Sequence, residues 1–127
     1  IMTAHIAFTN IDKEIATFSK FWLQDILRNK LGFSGTIFSD DLSMKGADYI
    51  GGIEAKVGKA LESGCNMVLV CNDRPAALKA INFLEKEKIS QSQKASKLKA
   101  SQLIIWADLE KDARRKDIID KLNIIGK

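Results

Sequence analysis

Short apolar runs alternate with amphipathic segments along the first two thirds of the chain. Three runs have the length and composition of buried strands: Ile1 to Ala7, Thr36 to Phe38 and Met67 to Val70. The segments between them repeat apolar residues at helical spacing, and no hairpin turn joins two strands. This order predicts an α/β fold with a parallel sheet. The strands start 35 and then 31 residues apart, which is typical of the βα units of a (β/α)8 barrel or of a doubly wound sheet.

Capping residues mark the ends of three predicted helices. Ser19 is a favourable N-cap for the first helix, and Gly32 follows that helix as its C′ residue. Gly64 ends the second helix in the same way. Asp73 caps the third helix, which has Pro75 in its first turn.

Two further regions differ from these elements. Residues 42–52 contain three glycines and are predicted to form a long loop. Beyond Lys86 the chain is more polar, and we expect two helices packed against the outside of the α/β part. Their apolar positions are Leu98, Ile105 and Leu109 in one helix, and Ile118, Ile119, Leu122 and Ile125 in the other. The predicted division is an α/β part at residues 1–87 and a C-terminal helical tail at residues 88–127.

The composition is that of one ordinary globular domain, with 127 residues of which 46% are hydrophobic. No apolar run reaches the length of about eighteen residues that a membrane span needs, and no signal peptide is recognisable, so no membrane partner is expected. Cys65 and Cys71 lie at opposite ends of an extended run, too far apart for a disulfide. A single histidine in the chain argues against a zinc site. Reduced thiols in the cytoplasm are the expectation.

The net charge of +4 comes from the tail. Lys and Arg number 9 against 10 Asp and Glu up to Glu85, and 11 against 6 from Lys86 onward. Nucleic-acid binding would use such an excess, but acidic residues are interspersed and Trp106 is the lone aromatic residue of the tail. We interpret the tail as a solvated helical face. A nucleic-acid-binding tail, with strongly salt-dependent affinity, is the least favoured alternative.

The candidate chemistry lies at the end of the second predicted strand, where Ser39, Asp40 and Asp41 follow the apolar run. Parallel α/β folds keep their active sites at the carboxyl ends of strands. Neighbouring residues in a strand point to opposite sides, so we expect one aspartate to be chemical and the other structural. From residue type alone, a turn cap at Asp41 and an ion pair at Asp40 are an equal alternative.

Residues 30–44, Lys-Leu-Gly-Phe-Ser-Gly-Thr-Ile-Phe-Ser-Asp-Asp-Leu-Ser-Met, resemble the nucleophile signature of glycoside hydrolase family 3. More narrowly, they resemble its bacterial β-N-acetylglucosaminidase (β-N-acetylhexosaminidase) branch, which acts in peptidoglycan recycling. Residues 1–5 resemble the strand before the nucleophile, residues 19–27 the helix after that strand, and residues 64–72 the last barrel strand. The resemblance extends over about residues 1 to 85 and not into the tail.

The resemblance implies both a fold and a reaction. The chain would form the last three βα units of a (β/α)8 TIM barrel, followed by C-terminal helices. Asp40, directly after the serine, would be the nucleophile of a retaining hydrolase. Its substrate would be a muropeptide with terminal N-acetylglucosamine, cleaved by water without a cofactor or metal. Asp41 would hold the following loop through backbone hydrogen bonds.

The same resemblance makes His5 and Met2 candidate substrate-binding residues. His5 would line the pocket or orient Asp40, and a plain hydrogen-bonded residue at a strand end is the alternative. Met2 would line the same pocket, unless it belongs to the core. The family's acid/base pair, a histidine and an aspartate on an earlier loop, has no counterpart here. The isolated chain is therefore expected to be inactive, and its expected partner is the missing N-terminal part of the barrel.

Asn66 departs from the family pattern, in which aspartate is common at this position. The main alternative to a hydrolase fragment is a non-catalytic α/β protein that binds a sugar or a partner at its strand ends. Three parallel strands leave open edges and uncovered apolar faces, so such a protein would pair with itself or with a missing half.

Overall fold

The computed structural model describes residues 1–90, 92–99 and 105–125. Its sheet contains two parallel strands, β1 (Phe38–Asp41) and β2 (Met67–Leu69), with Phe38 opposite Met67 and Asp41 opposite Leu69. Helix α1 (Ile53–Ser63) connects them. The predicted α/β pattern with parallel strands is confirmed for this pair.

The first segment of the chain lies beside β1 but forms less strand than expected. Met2 makes one parallel bridge to Phe38, and the N–H of Thr3 donates to the Phe38 carbonyl at 2.9 Å. The backbone then leaves β1, because Ala7 pairs with Ile15 in an antiparallel bridge. A strand over the whole of Ile1 to Ala7 is therefore wrong, and residues 7–15 close on themselves as a loop.

Strand β1 starts two residues later than predicted and continues through both aspartates. The N–H of Ile37 donates to the Asn66 side chain at 3.0 Å, and the Thr36 carbonyl accepts the N-terminal ammonium at 2.9 Å. These partners replace ladder hydrogen bonds before Phe38. Beyond the strand, the N–H of Leu42 still donates to the Leu69 carbonyl at 2.8 Å.

The first predicted helix is wound as a π-helix over Phe21–Lys30, and the N–H of Leu31 donates to the carbonyl five residues earlier. Ser19 Oγ accepts the N–H of Trp22 at 3.1 Å, although the residue that precedes the helix is Lys20. Gly32 follows with φ of +66°. The chain thus ends this helix where the sequence predicts.

The other predicted helices agree more closely with the structure. Gly64, with φ of +124°, follows α1, and Asp73 Oδ1 accepts the N–H of Ala76 at 2.9 Å at the start of α2 (Arg74–Lys86). The predicted loop at residues 42–52 contains a 3₁₀ helix, Lys45–Ile50. None of the helices in the described part of the chain has the length and apolar character needed to cross a bilayer.

The core lies between the helices and β1, and it includes Phe18, Leu23, Ile37, Leu42, Ala47, Val57, Ala60, Cys65 and Ala80. The tail contributes α3 (Gln93–Ser96), α4 (Trp106–Lys111) and α5 (Ala113–Ile125). Helix α3 contacts the α/β part, because Thr36 Oγ1 donates to the Lys94 carbonyl at 2.9 Å.

The expected packing of the tail's apolar stripes is wrong for the residues that are described. Leu98, Ile105 and Leu122 are more than half exposed, and neither α4 nor α5 contains a buried residue. The predicted stripe Ile118, Ile119, Leu122 and Ile125 shares one side of α5, but all four side chains are exposed. Residues 91, 100–104 and 126–127 of the predicted tail lie outside the described residues.

Candidate active site

Asp40 and Asp41 are the last two residues of β1, at the carboxyl end of a parallel strand. Asp41 Oδ1 accepts the N–H groups of Ser43 and Cys71, each at 3.0 Å. Ser43 Oγ lies 2.8 Å from both carboxylate oxygens of Asp41. Asp41 therefore joins the loop after β1 to the end of β2, a pattern that fits both the turn cap and the loop-holding role considered for it.

These hydrogen bonds also set the charge state of Asp41. Partial burial raises the pKa of the carboxyl group, but the donors of Cys71 and Ser43, with a smaller contribution from His5, outweigh it. The net result is a pKa below the usual 3.8. Asp41 is a carboxylate at neutral pH, and the protein occupies its Oδ1 with two backbone N–H groups.

Asp40 has a different environment. Its Oδ1 accepts the N–H of Asp41 at 2.8 Å. Its second oxygen has no hydrogen-bond partner, and its carboxylate has no ion-pair partner, among the described residues. The side chain is half-buried. The ion pair considered as an alternative for Asp40 is thus not found in this part of the chain, and one carboxylate oxygen is free to act on a ligand.

His5 lies against the backbone of Asp41. Its Nε2 donates to the Asp41 carbonyl at 3.0 Å, because a carbonyl oxygen can only accept. The ring stacks on Phe18 with centroids 5.6 Å apart and planes at 11°. Nδ1 is buried without a hydrogen-bond partner among the described residues. His5 therefore contacts the residue after Asp40 and not the Asp40 carboxylate itself.

Met2 is on the first segment, opposite the start of β1. Its residue surface is 59% exposed, so it does not belong to the core of the described structure. Met2 bridges Phe38, two residues before Asp40, and the His5 side chain contacts the carbonyl of Asp41, one residue after it. None of the hydrogen bonds among the described residues joins the side chains of His5 and Asp40.

A buried lysine behind β1 is a feature that sequence reasoning missed. Lys56 is 6% exposed, and its Nζ donates to the Leu42 carbonyl at 3.0 Å and to Asp48 Oδ1 at 2.8 Å. The sequence could have indicated this burial, because Lys56 lies on the apolar face of α1 beside Val57 and Ala60. A charged residue at a core position needs partners, and this one finds them in the loop after Asp41.

The space around the strand ends includes a cavity of about 390 Å³ between the loop after β1 and the first turns of α1 and α2. Its lining includes Ser43, Asp48, Lys56 and Lys79. Asp40, His5 and Met2 do not line it. Within the described ranges, no group of three or more His, Cys, Asp and Glu side chains has the arrangement of a metal site.

The chain belongs to glycosyl hydrolase family 3. The model of the family's N-terminal domain matches residues 1–102, which is most of the chain. The match continues into the tail, beyond the expected end of the resemblance at about residue 85. The predicted boundary between residues 87 and 88 remains a prediction.

Three known proteins that are similar to this chain support the assignment to this family. The chain is 54% identical over 82 residues to a β-hexosaminidase of Idiomarina loihiensis, covering 65% of this chain and 25% of that protein. It is 40% identical over 124 residues to a β-hexosaminidase of Tolumonas auensis, covering 98% and 36%. The crystal structure of NagZ from Neisseria gonorrhoeae in complex with N-trifluoroacetyl-D-glucosamine matches with a TM-score of 0.58 and 41% identity, covering 74% and 26%. The chain thus spans between a quarter and about a third of the length of these relatives.

Proposed function

We propose that this chain carries the nucleophile of a retaining β-N-acetylhexosaminidase, and that Asp40 is that nucleophile. The observation that supports the proposal is the contrast between the two aspartates. Asp41 accepts two backbone N–H groups and contacts the Ser43 hydroxyl, and these bonds tie it to the loop after β1 and to Cys71. Asp40 accepts one N–H among the described residues, so its second carboxylate oxygen at the carboxyl end of β1 is available to a ligand.

The reaction follows from that carboxylate. An Asp40 oxygen attacks the anomeric carbon, the bond from that carbon to the aglycone oxygen breaks, and a glycosyl ester forms. The aglycone oxygen takes a proton from a separate acid. Water then attacks the anomeric carbon from the face opposite the ester oxygen, the bond from that carbon to the Asp40 oxygen breaks, and the original configuration is restored. The negative charge of Asp40 also stabilises the oxocarbenium-like transition state.

One carboxylate cannot protonate the leaving group while it attacks, so the proposal requires a second functional group. The family match and the 36% coverage of the Tolumonas relative support a division of labour. In it, this chain supplies the last three βα units of a (β/α)8 barrel, and a preceding N-terminal part supplies the acid. The chain alone is then inactive.

The proposed substrate is a saccharide with terminal N-acetylglucosamine, and a muropeptide in the cytoplasm is the proposed natural form. The relatives named β-hexosaminidase and the Neisseria complex with an N-acylated glucosamine support the sugar. Met2 and His5 would line the sugar site beside Asp40. The contact between His5 and the Asp41 carbonyl supports an orienting role, since it fixes the backbone directly after the nucleophile.

The test uses a completed protein, in which this chain follows the N-terminal portion of the Tolumonas auensis β-hexosaminidase. Turnover of nitrophenyl N-acetylglucosaminide is measured for the chain alone, the completed protein, and its Asp40→Ala and Asp41→Asn variants. We expect turnover in the completed protein, none in the chain alone, near-complete loss in Asp40→Ala and a smaller loss in Asp41→Asn. Asp25→Asn, at an exposed position of the π-helix, is the matched charge control.

Azide sharpens the result for Asp40→Ala. Azide can attack the anomeric carbon in the space left by the carboxylate, expelling nitrophenolate and giving an α-glycosyl azide. Recovery of that product supports Asp40 as nucleophile. A folded completed protein that binds N-acetylglucosamine without turnover supports the non-catalytic alternative, and equal losses in both aspartate variants contradict the roles assigned to them.

A further inference from the structure

Lys56 has an unusual position for a lysine. It lies in the first turns of α1, is 6% exposed, and its ammonium group is directed at two partners behind the strand end. Those partners are the Leu42 carbonyl at 3.0 Å and Asp48 Oδ1 at 2.8 Å. A buried ion pair generally stabilises a fold no more than apolar residues of similar volume would. Stability alone therefore does not account for a lysine at this place.

The bond to Leu42 fixes the chain two residues after Asp40. The Leu42 side chain is fully buried, and its N–H donates to the Leu69 carbonyl of β2 at 2.8 Å. Lys56 holds the remaining polar group of that residue, its carbonyl. On the other side of Asp40, the buried Ser39 Oγ accepts the Leu69 N–H at 3.0 Å. Asp40 thus projects from a backbone that is anchored on both sides.

The bond to Asp48 extends the same frame to His5. Asp48 belongs to the 3₁₀ helix Lys45–Ile50, which packs beside His5 so closely that a Cβ at Gly46 would lie 3.0 Å from the His5 Cβ. Tyr49 of that helix makes a T-shaped contact with Phe18, with ring centroids 6.1 Å apart, and Phe18 stacks on His5. The Asp48 side chain is 63% exposed, so Lys56 does not serve to neutralise a buried acid there. The bond from Lys56 to Asp48 instead fixes the position of the 3₁₀ helix relative to α1.

We propose that Lys56 is a positioning residue for Asp40, because its ammonium group ties the backbone at Leu42 and the helix Lys45–Ile50 to α1. The inference rests on the proposed function of Asp40. A nucleophile must approach the anomeric carbon in line, and a displacement of about 1 Å can cost about 10²-fold in rate. Losing the tie lets the strand end and the 3₁₀ helix shift relative to α1, and the carboxylate loses that alignment.

The test is made in the completed protein with Lys56→Met, Lys56→Arg and Asp48→Asn. The control is Lys20→Met, which breaks the Lys20–Glu62 ion pair of 2.7 Å between side chains that are 59% and 62% exposed. Active sites are counted by the initial burst of nitrophenolate or by trapping the glycosyl ester, and kcat is expressed per active site.

We expect Lys56→Met to lower kcat per active site by about tenfold or more while KM stays within about twofold, since misalignment affects the transition state more than sugar binding. Lys56→Arg should restore part of the loss, because a guanidinium can also reach a carbonyl and a carboxylate. Asp48→Asn should have an intermediate effect, and Lys20→Met none.

A purely structural role gives a different pattern. It lowers the melting temperature and the number of active sites, with kcat per remaining site unchanged, and that result overturns the inference. If Lys56→Met does not fold, unchanged kcat per site in both Lys56→Arg and Asp48→Asn overturns it equally. Failure of the proposed function is distinguishable, because it appears as a folded but inactive wild-type completed protein or as an active Asp40→Ala variant.

Discussion

Arg28 offers a measurable test of how the strand that carries Asp40 is held. Its Nη1 donates to the Phe33 and Gly35 carbonyls at 2.7 and 2.6 Å, and its Nη2 donates to Asn66 Oδ1 at 2.9 Å. Its guanidinium carbon also lies 5.3 Å from the Phe33 ring centroid. One side chain thus joins the π-helix, the turn before β1 and the residue before β2.

Arg28→Met removes these three hydrogen bonds and keeps most of the aliphatic stem. Hydrogen bonds to a charged donor contribute about 1.5–3 kcal/mol each when buried, but Arg28 is half-buried, so we take about 1 kcal/mol for each. The expected loss in the free energy of unfolding is about 3 kcal/mol, a large fraction of the stability of an ordinary domain. With an m-value of about 2 kcal/mol/M, the urea midpoint should fall by about 1.5 M.

The assay is urea unfolding of the 127-residue chain, followed by tryptophan fluorescence, to which the half-buried Trp22 and the exposed Trp106 both contribute. Arg28→Lys should lose most of the same stability, because a single ammonium cannot reach all three acceptors. The matched control is Arg114→Met. The Arg114 guanidinium pairs with Asp112 at 2.6 Å, but the side chain is 81% exposed. The urea midpoint of this variant should equal that of the wild type. A midpoint for Arg28→Met within about 0.3 M of wild type, at unchanged m-value, would refute the reasoning.

Three further predictions follow from single positions. Asp41→Asn should destabilise the chain at neutral pH, and the difference from wild type should shrink as pH falls below about 4. A carboxyl group whose pKa is lowered by folding stabilises the folded state at pH values above its unfolded pKa of 3.8. This stabilisation is lost as the group is protonated at lower pH. Gly64→Ala should cost about 1–3 kcal/mol, because φ is +124° and the new Cβ would collide with the Gln24 amide. Cys71 is exposed and should react with a thiol reagent at pH 8, whereas burial raises the pKa of Cys65 to about 12 and should leave it unlabelled until the chain unfolds.

Controls for these three predictions are present in the same chain. Asp25→Asn, which removes an exposed charge from the π-helix, is the charge-matched control for Asp41→Asn. Gly32→Ala tests the backbone effect alone, since φ is +66° and nothing lies within 4 Å of an added Cβ. A pH-independent difference for Asp41→Asn, equal losses for the two glycine variants, or rapid labelling of both thiols would each contradict the corresponding prediction.

The parts of the fold that local chemistry determines were predictable from the sequence. Asp73 and Gly64 terminate helices through their own backbone and side-chain geometry, and both were placed correctly. The start of β1 was not predictable in this way. It depends on Asn66, 29 residues away from Ile37, whose side chain takes the Ile37 N–H that a longer strand would have used.

The candidate site also combines features that the local sequence predicts with features that depend on distant contacts. The alternation of side chains along a strand predicted that Asp40 and Asp41 would have different roles, and the hydrogen bonds of Asp41 follow that prediction. The contact of His5 with the Asp41 carbonyl depends on two segments 36 residues apart, which no local pattern specifies. Lys56 was overlooked because a lysine on an apolar helix face has meaning only once its partners are known.

The central claim concerns one oxygen atom of Asp40, and covalent trapping tests it most directly. The completed protein is incubated with a 5-fluoro N-acetylglucosaminyl fluoride, from which fluoride departs as the glycosyl ester forms, and the labelled protein is digested and mapped by mass spectrometry. We predict that the sugar is found on Asp40, that it remains there in Asp41→Asn, and that it is absent in Asp40→Ala. A sugar attached to another residue, or full turnover by Asp40→Ala, would contradict the account.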